Sequence, residues 1–197
     1  LFSTTTVREL QKELNPKGIA LNTEIDPIGD LWKDRPPRPK SQAFFLQDKF
    51  AGQSRADKLS IIREKMEAEG AEYHIIATLD DIAWTLNLRG RDIHTNPVNI
   101  AYLLISMQQA ILFMDREKAD AELENTLKAD GIMLKPYKSI YESLPKLKDG
   151  KSILIDPDNL NYSLFKAIPK DFIIIEKANP AIALKAVKNE IQIQHLK

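Results

Sequence analysis

The residues best placed to do chemistry lie close together in the stretch WTLNLRGRDIHTNP, Trp84 to Pro97. Arg89 and Arg91 bracket Gly90, and Asp92 and His94 follow. A guanidinium presents a planar fork that grips a carboxylate. Glycine lets the chain bend sharply and carry two cations out of an apolar run. Asp92 can satisfy one arginine internally, and Asn96-Pro97 sets an extended entry to the next strand. Two readings stay open from these residues alone. One is an internally paired structural loop. The other is part of a substrate-site rim or a subunit contact.

Elsewhere the chemistry is sparse. The seven glycines all stand singly, so no phosphate-cradling loop is present. There is no His-Glu-x-x-His and no nucleophile elbow, and the absence of cysteine excludes thiol chemistry and thiolate zinc sites. His74 lies inside an apolar run and reads as a hydrogen-bonded structural residue. His195 reads as solvent-facing. Asp80-Asp81 stands where a helix N-terminus welcomes negative charge, and Asp156 and Asp158 fit turn chemistry.

Lysine plus arginine equals aspartate plus glutamate, 28 each, which argues against a general nucleic-acid or membrane-surface binder. Lys33, Arg35, Arg38 and Lys40 are interleaved with Pro36, Pro37 and Pro39, which reads as a linker. No run approaches the roughly 20 apolar residues of a membrane helix. The absence of cysteine fits a reducing cytoplasm. The start, LFSTTTVREL, has no secretory pattern, and both ends read as cut from a longer protein.

The elements that must position these residues alternate. A capping box, Thr6-x-x-Glu9, predicts a helix with Val7, Leu10 and Leu14 on one face and Gly18 as its stop. IALNTEI predicts a short strand, and Asp26-Pro27 a capped short helix. QAFFLQ is a strand or the linker's end. Ser54 caps a helix whose buried stripe is Leu59, Ile62 and Met66, with Gly70 after it. Then come strand EYHIIAT, helix LDDIAWTLN, and strands VNIAYLLIS and QAILFMD around a tight turn at Met107-Gln108. EKADAELENTLKADG, SIYESLPKL and NYSLFKAI predict helices, interleaved with strands IMLKPY, SILIDP and DFIIIEK. One last helix begins at Asn179-Pro180. Such alternation, with one antiparallel hairpin, predicts an α/β fold with a mixed central sheet flanked by helices, a three-layer sandwich.

The segment LDDIAWTLNLRGRDIHTNPVNIAYLLI resembles the second domain of three-domain Xaa-Pro aminopeptidases, of the creatinase/prolidase superfamily. The shared features fall at Leu79 to Trp84, Asn87 to Gly90, Asp92-Ile93 and Asn96-Pro97, with Asp81 where the family more often has glutamate. LWKDRPPRPK resembles the family's link between first and second domains. FAGQSRADKLSIIREKM and NPAIALKAVKNEIQIQ resemble the helices that open and leave the second. The resemblance implies a creatinase/prolidase N-terminal-like fold. It implies residues 1–34 as the tail of a first domain, 35–53 as linker, 54–178 as the second domain, and 179–197 as the start of a helix toward a catalytic domain. Family members remove N-terminal residues that precede proline, with a pair of divalent metal ions, often manganese, held by carboxylates and a histidine in a pita-bread domain. None of those ligands carries over to this chain. The resemblance therefore implies an inactive piece of a peptidase that acts on short peptides with proline second. It also implies a homodimer, and it sets Arg89, Gly90, Arg91 and His94 at the rim of the active-site opening. Three alternatives stay open: an interaction module of a relative that has lost catalysis, the matching domain of a prolidase, or an independent α/β enzyme. The last would need a deep pocket with perturbed titratable groups.

Overall fold

The computed structural model describes residues 2–147 and 152–197, so Leu1, the first residue of the expected tail, lies outside the described residues. Helix α1 spans Thr4–Leu14 and tightens into a 3-10 turn, Asn15–Lys17, stopped by Gly18 in the left-handed region. Its cap is Ser3 rather than Thr6: the Ser3 hydroxyl accepts the Thr6 amide. The run Ser3 to Thr6 offers successive hydroxyls able to cap, and docking chooses among them. The amide and hydroxyl of Thr4 both donate to the Leu160 carbonyl, at 2.8 and 2.9 Å. IALNTEI forms no strand, and Ile19 and Ile25 remain exposed. An extended segment needs a neighbour to bond its backbone, and no strand pairs with this one. Helix α2, Pro27–Leu31, has the expected Asp26 cap and leading proline.

Residues 35–43 are without regular structure, as three prolines require, yet the segment is pinned. Arg38 makes a two-pronged bond to Asp115 (2.9 and 3.0 Å), Lys40 pairs with Glu117, and Arg35 with Asp26. Three of the four cations of the basic run, Arg35, Arg38 and Lys40, are thus paired with the protein's own acids.

Strand β1 (Phe44–Phe45) and a single turn, α3 (Asp48–Ala51), lead to α4 (Arg55–Ala68), whose Ser54 cap accepts the Asp57 amide. There follow β2 (Tyr73–Ile76), α5 (Leu79–Thr85), β3 (Leu88–Arg89), β4 (Ala101–Ser106), β5 (Ala110–Met114), α6 (Ala121–Ala129) and β6 (Ile132–Lys135). SIYESLPKL is less regular than expected. Only α7, Ile140–Ser143, is α-helical, between 3-10 turns, because Pro145 withholds an amide. After it come β7 (Ser152–Ile155), α8 (Tyr162–Ala167) and β8 (Ile173–Glu176). The expected last helix is two, α9 (Pro180–Ala186) and α10 (Glu190–Leu196). The break has a local cause: Asn189 and Gln192 form a reciprocal capping box that starts a new helix.

Six strands form one mixed sheet in the order β6-β5-β4-β2-β7-β8. β4 runs antiparallel to both neighbours, β5 and β2, and the remaining pairs are parallel. The Met107-Gln108 turn closes the β4–β5 hairpin, with Ser106 bonded to Gln109. Both faces are covered, so β4 is buried throughout and its side chains divide by period two. Ala101, Leu103 and Ile105 enter the core under α4, α5, α6 and α9. Tyr102 and Leu104 enter the core under α7 and α8. Three layers result, as expected.

Candidate functional site

The candidate site grows from the connection between α5 and β3. Asn87 is the sole non-glycine residue with positive φ (50°) among the described residues, a conformation that asparagine tolerates better than most. That turn sends its amide inward. Nδ2 donates to Gln53 O (2.9 Å) and Asp48 Oδ1 (3.2 Å), while Oδ1 accepts from Lys58 Nζ (2.6 Å). Lys58 also donates to the Trp84 carbonyl (2.9 Å) and lies 4.6 Å from the centre of the Trp84 ring. Although a lysine, it is 1% exposed. Burial draws its pKa down to about 8, helped by the charge of Arg89 and opposed by Asp48. Arg89 is half-buried, donates Nη1 to the carbonyls of Ala83 (2.6 Å) and Leu88 (3.1 Å), and is likewise pulled down by burial. Both cations line a cleft of about 240 Å³ whose walls include Leu46, Phe50, Trp84 and, from α10, Gln192, His195 and Leu196.

The four residues singled out in the sequence are not brought to one point. Arg89 faces this cleft, whereas Arg91 and His94 are exposed on the loop beyond. Gly90 is buried, and its φ is not in the left-handed region. Its smallness serves close approach, because an added Cβ would overlap the Asn99 amide. Asp92 pairs with neither arginine. It receives the buried Lys118, together with the Ile100 amide (2.6 Å) and the Ser41 hydroxyl (3.3 Å). His74 is a fully buried structural residue, its ring nitrogens 3.0 Å from Leu154 O and Asn179 Oδ1. His195 is exposed at the end of α10, its ring tilted 5.9 Å from Phe50. Asp156 accepts the Asp158 amide, the expected turn, and also the Asn179 amide (3.1 Å). Asp80 and Asp81 do more than face a helix start, because Lys185 of α9 reaches both.

Lys58 escaped the sequence reading, yet a signal was there. It stands four residues before Ile62 and eight before Met66, so it shares their buried stripe. A lysine on an apolar stripe is held by something, and the partner 29 residues away is what the sequence does not display.

The cleft has a perturbed amine but no carboxylate within ion-pair distance of it among the described residues. No group of three His, Asp or Glu side chains among the described residues could hold a metal ion, so these residues do not fit a metal centre. The arrangement binds negative charge better than it moves protons. It also makes a prediction. The folded chain holds the Lys58 proton less tightly than the unfolded chain, whose value is near 10.5, so unfolding takes up a proton between pH 8 and 10.5. Stability therefore rises from pH 8 to about 10, by about 2–3 kcal/mol from this group. Above pH 10 it falls, because burial raises the Tyr102 and Tyr141 hydroxyls and unfolding then releases protons. Urea unfolding across pH 7 to 11 checks the peak. A profile unchanged by Lys58→Met would exclude Lys58 as its source.

Comparison with known proteins agrees with this architecture. Residues 34–192 match the creatinase/prolidase N-terminal domain. The Xaa-Pro aminopeptidase 1 of Dictyostelium discoideum is 39% identical over 88% of the chain, and a probable Xaa-Pro aminopeptidase P of Laccaria bicolor 35% over 98%. The chain spans only 28% and 31% of those proteins. The crystal structure of X-prolyl aminopeptidase from Caenorhabditis elegans, a cytosolic enzyme with a di-nuclear active site, superposes with a TM-score of 0.88 at 23% identity. That match covers 98% of this chain and 32% of that one. No helix among the described residues is long and apolar enough to cross a membrane. The chain belongs to the creatinase/prolidase N-terminal domain family.

Proposed function

We propose that the chain is a non-catalytic N-terminal portion of a cytosolic, metal-dependent Xaa-Pro aminopeptidase, which removes N-terminal residues preceding proline. The observation that carries this reading is the 39% and 35% identity to Xaa-Pro aminopeptidases, spread over almost the whole chain yet over less than a third of theirs. Hydrolysis belongs to a further domain holding two divalent ions, of which manganese is the expected metal, in keeping with the di-nuclear centre of the C. elegans enzyme. The chain alone is then inert toward Xaa-Pro peptides. In this division residues 1–34 end a first domain, 35–53 connect, 54–178 form the second domain, and 179–197 lead toward the hydrolytic one.

Within the whole enzyme, a homodimer, the Arg89-Gly90-Arg91 turn and His94 border the active-site opening and restrict entry to short peptides. Support comes from the exposure of Arg91 and His94 on a loop whose base is fixed by buried Gly90 and Asp92. The test is Arg91→Ala combined with His94→Ala in the full-length protein. A charge-assisted contact to substrate is worth about tenfold or more, so kcat/KM for Xaa-Pro peptides is expected to fall at least about tenfold with melting unchanged. Unchanged kcat/KM together with an unchanged oligomeric state, for this variant and for Arg89→Ala, would reject both the rim and the dimer role.

A further inference from the structure

The Lys58 cleft asks for a partner that the chain does not supply. An ammonium carries three donors, and Lys58 spends two, on Trp84 O and Asn87 Oδ1. Arg89 uses Nη1 alone, on Ala83 O and Leu88 O. Its Nε and Nη2 form no further bond to the described residues. Each cation raises the other's cost, since both are desolvated and they repel one another. The charges around them do not balance. Arg55 adds to the repulsion, though it is paired with Asp130, and Lys188, in the link before α10, brings a further cation to the cleft. The opposing charge is Asp48, which reaches Lys58 only through the Asn87 amide. Buried cations ordinarily keep an ion-pair partner, and Lys118 in the same chain does.

We propose that this cleft binds a carboxylate carrying a short apolar tail. Lys58 and Arg89 hold the oxygens, and Trp84, Phe50, Leu46 and Leu196 enclose the tail. The shape agrees. A cleft of about 240 Å³ exceeds what a lone ion fills, and Leu46, Phe50, Ala51, Trp84 and Leu196 give it apolar wall beside a few polar groups, the usual make-up of a small-ligand site. Asn87 serves as a positioning residue. Its left-handed turn aims one amide at Lys58, Asp48 and Gln53 together, which fixes the ammonium at the cleft floor. The ligand chemistry has two sources, a free small organic acid or the C-terminal carboxylate of a short peptide. The assignment does not rest on the peptidase reading, because it concerns binding to this chain alone.

The test uses the 197-residue chain with Trp32→Phe, which leaves Trp84 in the cleft wall as the lone tryptophan reporter. 3-Phenylpropionate, its neutral amide, and alanyl-phenylalanine with free and amidated C-terminus are titrated against Trp84 emission. At least one of the two acids is expected to shift the emission, with its amide bound at least about tenfold more weakly, the size of a charge-assisted bond. Lys58 is protonated below about pH 8, so the acid's affinity is expected to fall as pH rises from 7 to 9.5 while any amide binding stays level. Lys58→Met and Arg89→Gln should each weaken the acid at least about tenfold. If Lys58→Met fails to fold, Arg89→Gln and the pH series on the unaltered cleft decide. Response to the peptide acid alone assigns the site to peptide C-termini, and response to both acids to carboxylates in general. Equal binding of acid and amide, affinity independent of pH, or no response to either acid would overturn the proposal.

Discussion

Lys118→Ala is expected to cost about 3–5 kcal/mol of folding stability, the largest single effect in the chain. The ammonium and the Asp92 carboxylate are both 0% exposed and in direct contact. Removing one member strands the other as an unpaired buried charge, and such breaks cost about that much. Asp92 would keep the Ile100 amide and the Ser41 hydroxyl, but no cation. The pair also helps hold the connector, because Asp92 accepts the Ser41 hydroxyl (3.3 Å) beside the backbone bond from the Ala43 amide to the Lys118 carbonyl (2.8 Å). For a chain of this size the loss lowers the melting temperature by roughly 6–20 °C. Urea unfolding of Lys118→Ala, Asp92→Leu and the double variant Lys118→Met with Asp92→Leu measures it. The double variant should recover most of the loss, since a buried pair exchanged for apolar groups is often neutral. A single variant within about 1 kcal/mol of the parent would show that the ion pair is not needed for stability.

Asn179→Ala should follow at about 2–4 kcal/mol. This side chain joins three elements at once. Its Oδ1 accepts the Ala181 amide, which caps α9, and meets His74 Nε2 of β2. Its Nδ2 donates to Asp81 Oδ2 of α5 (2.9 Å). Loss of a helix cap costs about 1 kcal/mol, and a buried polar group left without its partner about 1–3 more. His74 and Asp81 are both fully buried, so water cannot readily replace the amide. The expected signature is local as well as global: faster hydrogen exchange at the first amides of α9 together with a lower urea midpoint. Unchanged exchange there would mean that Lys185, through Asp80 and Asp81, is enough to hold α9 in place.

Much of the fold was legible because its signals are short-range. The Ser54 and Asp26 caps, the stop at Gly70, the Met107-Gln108 hairpin and the Leu59-Ile62-Met66 stripe depend on residues within about one or two helical turns. Their alternation carried the mixed sheet with it, and the NLRG and Asn-Pro motifs carried a family resemblance that the match over 34–192 confirms. The errors were of two kinds. The break before Asn189 carries its own short-range signal, Asn-x-x-Gln. The cap of α1 and the failed strand IALNTEI had none, because contact with Leu160 settles the one and the lack of a pairing strand the other.

Of the site, the sequence by itself marked Arg89, within the Trp84 to Pro97 stretch, while Lys58 stood on a helix stripe with nothing nearby to show its role. Only the tertiary structure decided how they divide. It turned Arg89 into a cleft beside Lys58, left Arg91 and His94 in solvent, and matched Asp92 with Lys118 rather than with an arginine. The reason is that a buried charge takes whichever partner the packed layers deliver. Those partners lie 26 and 29 residues away along the chain, beyond the reach of any local pattern.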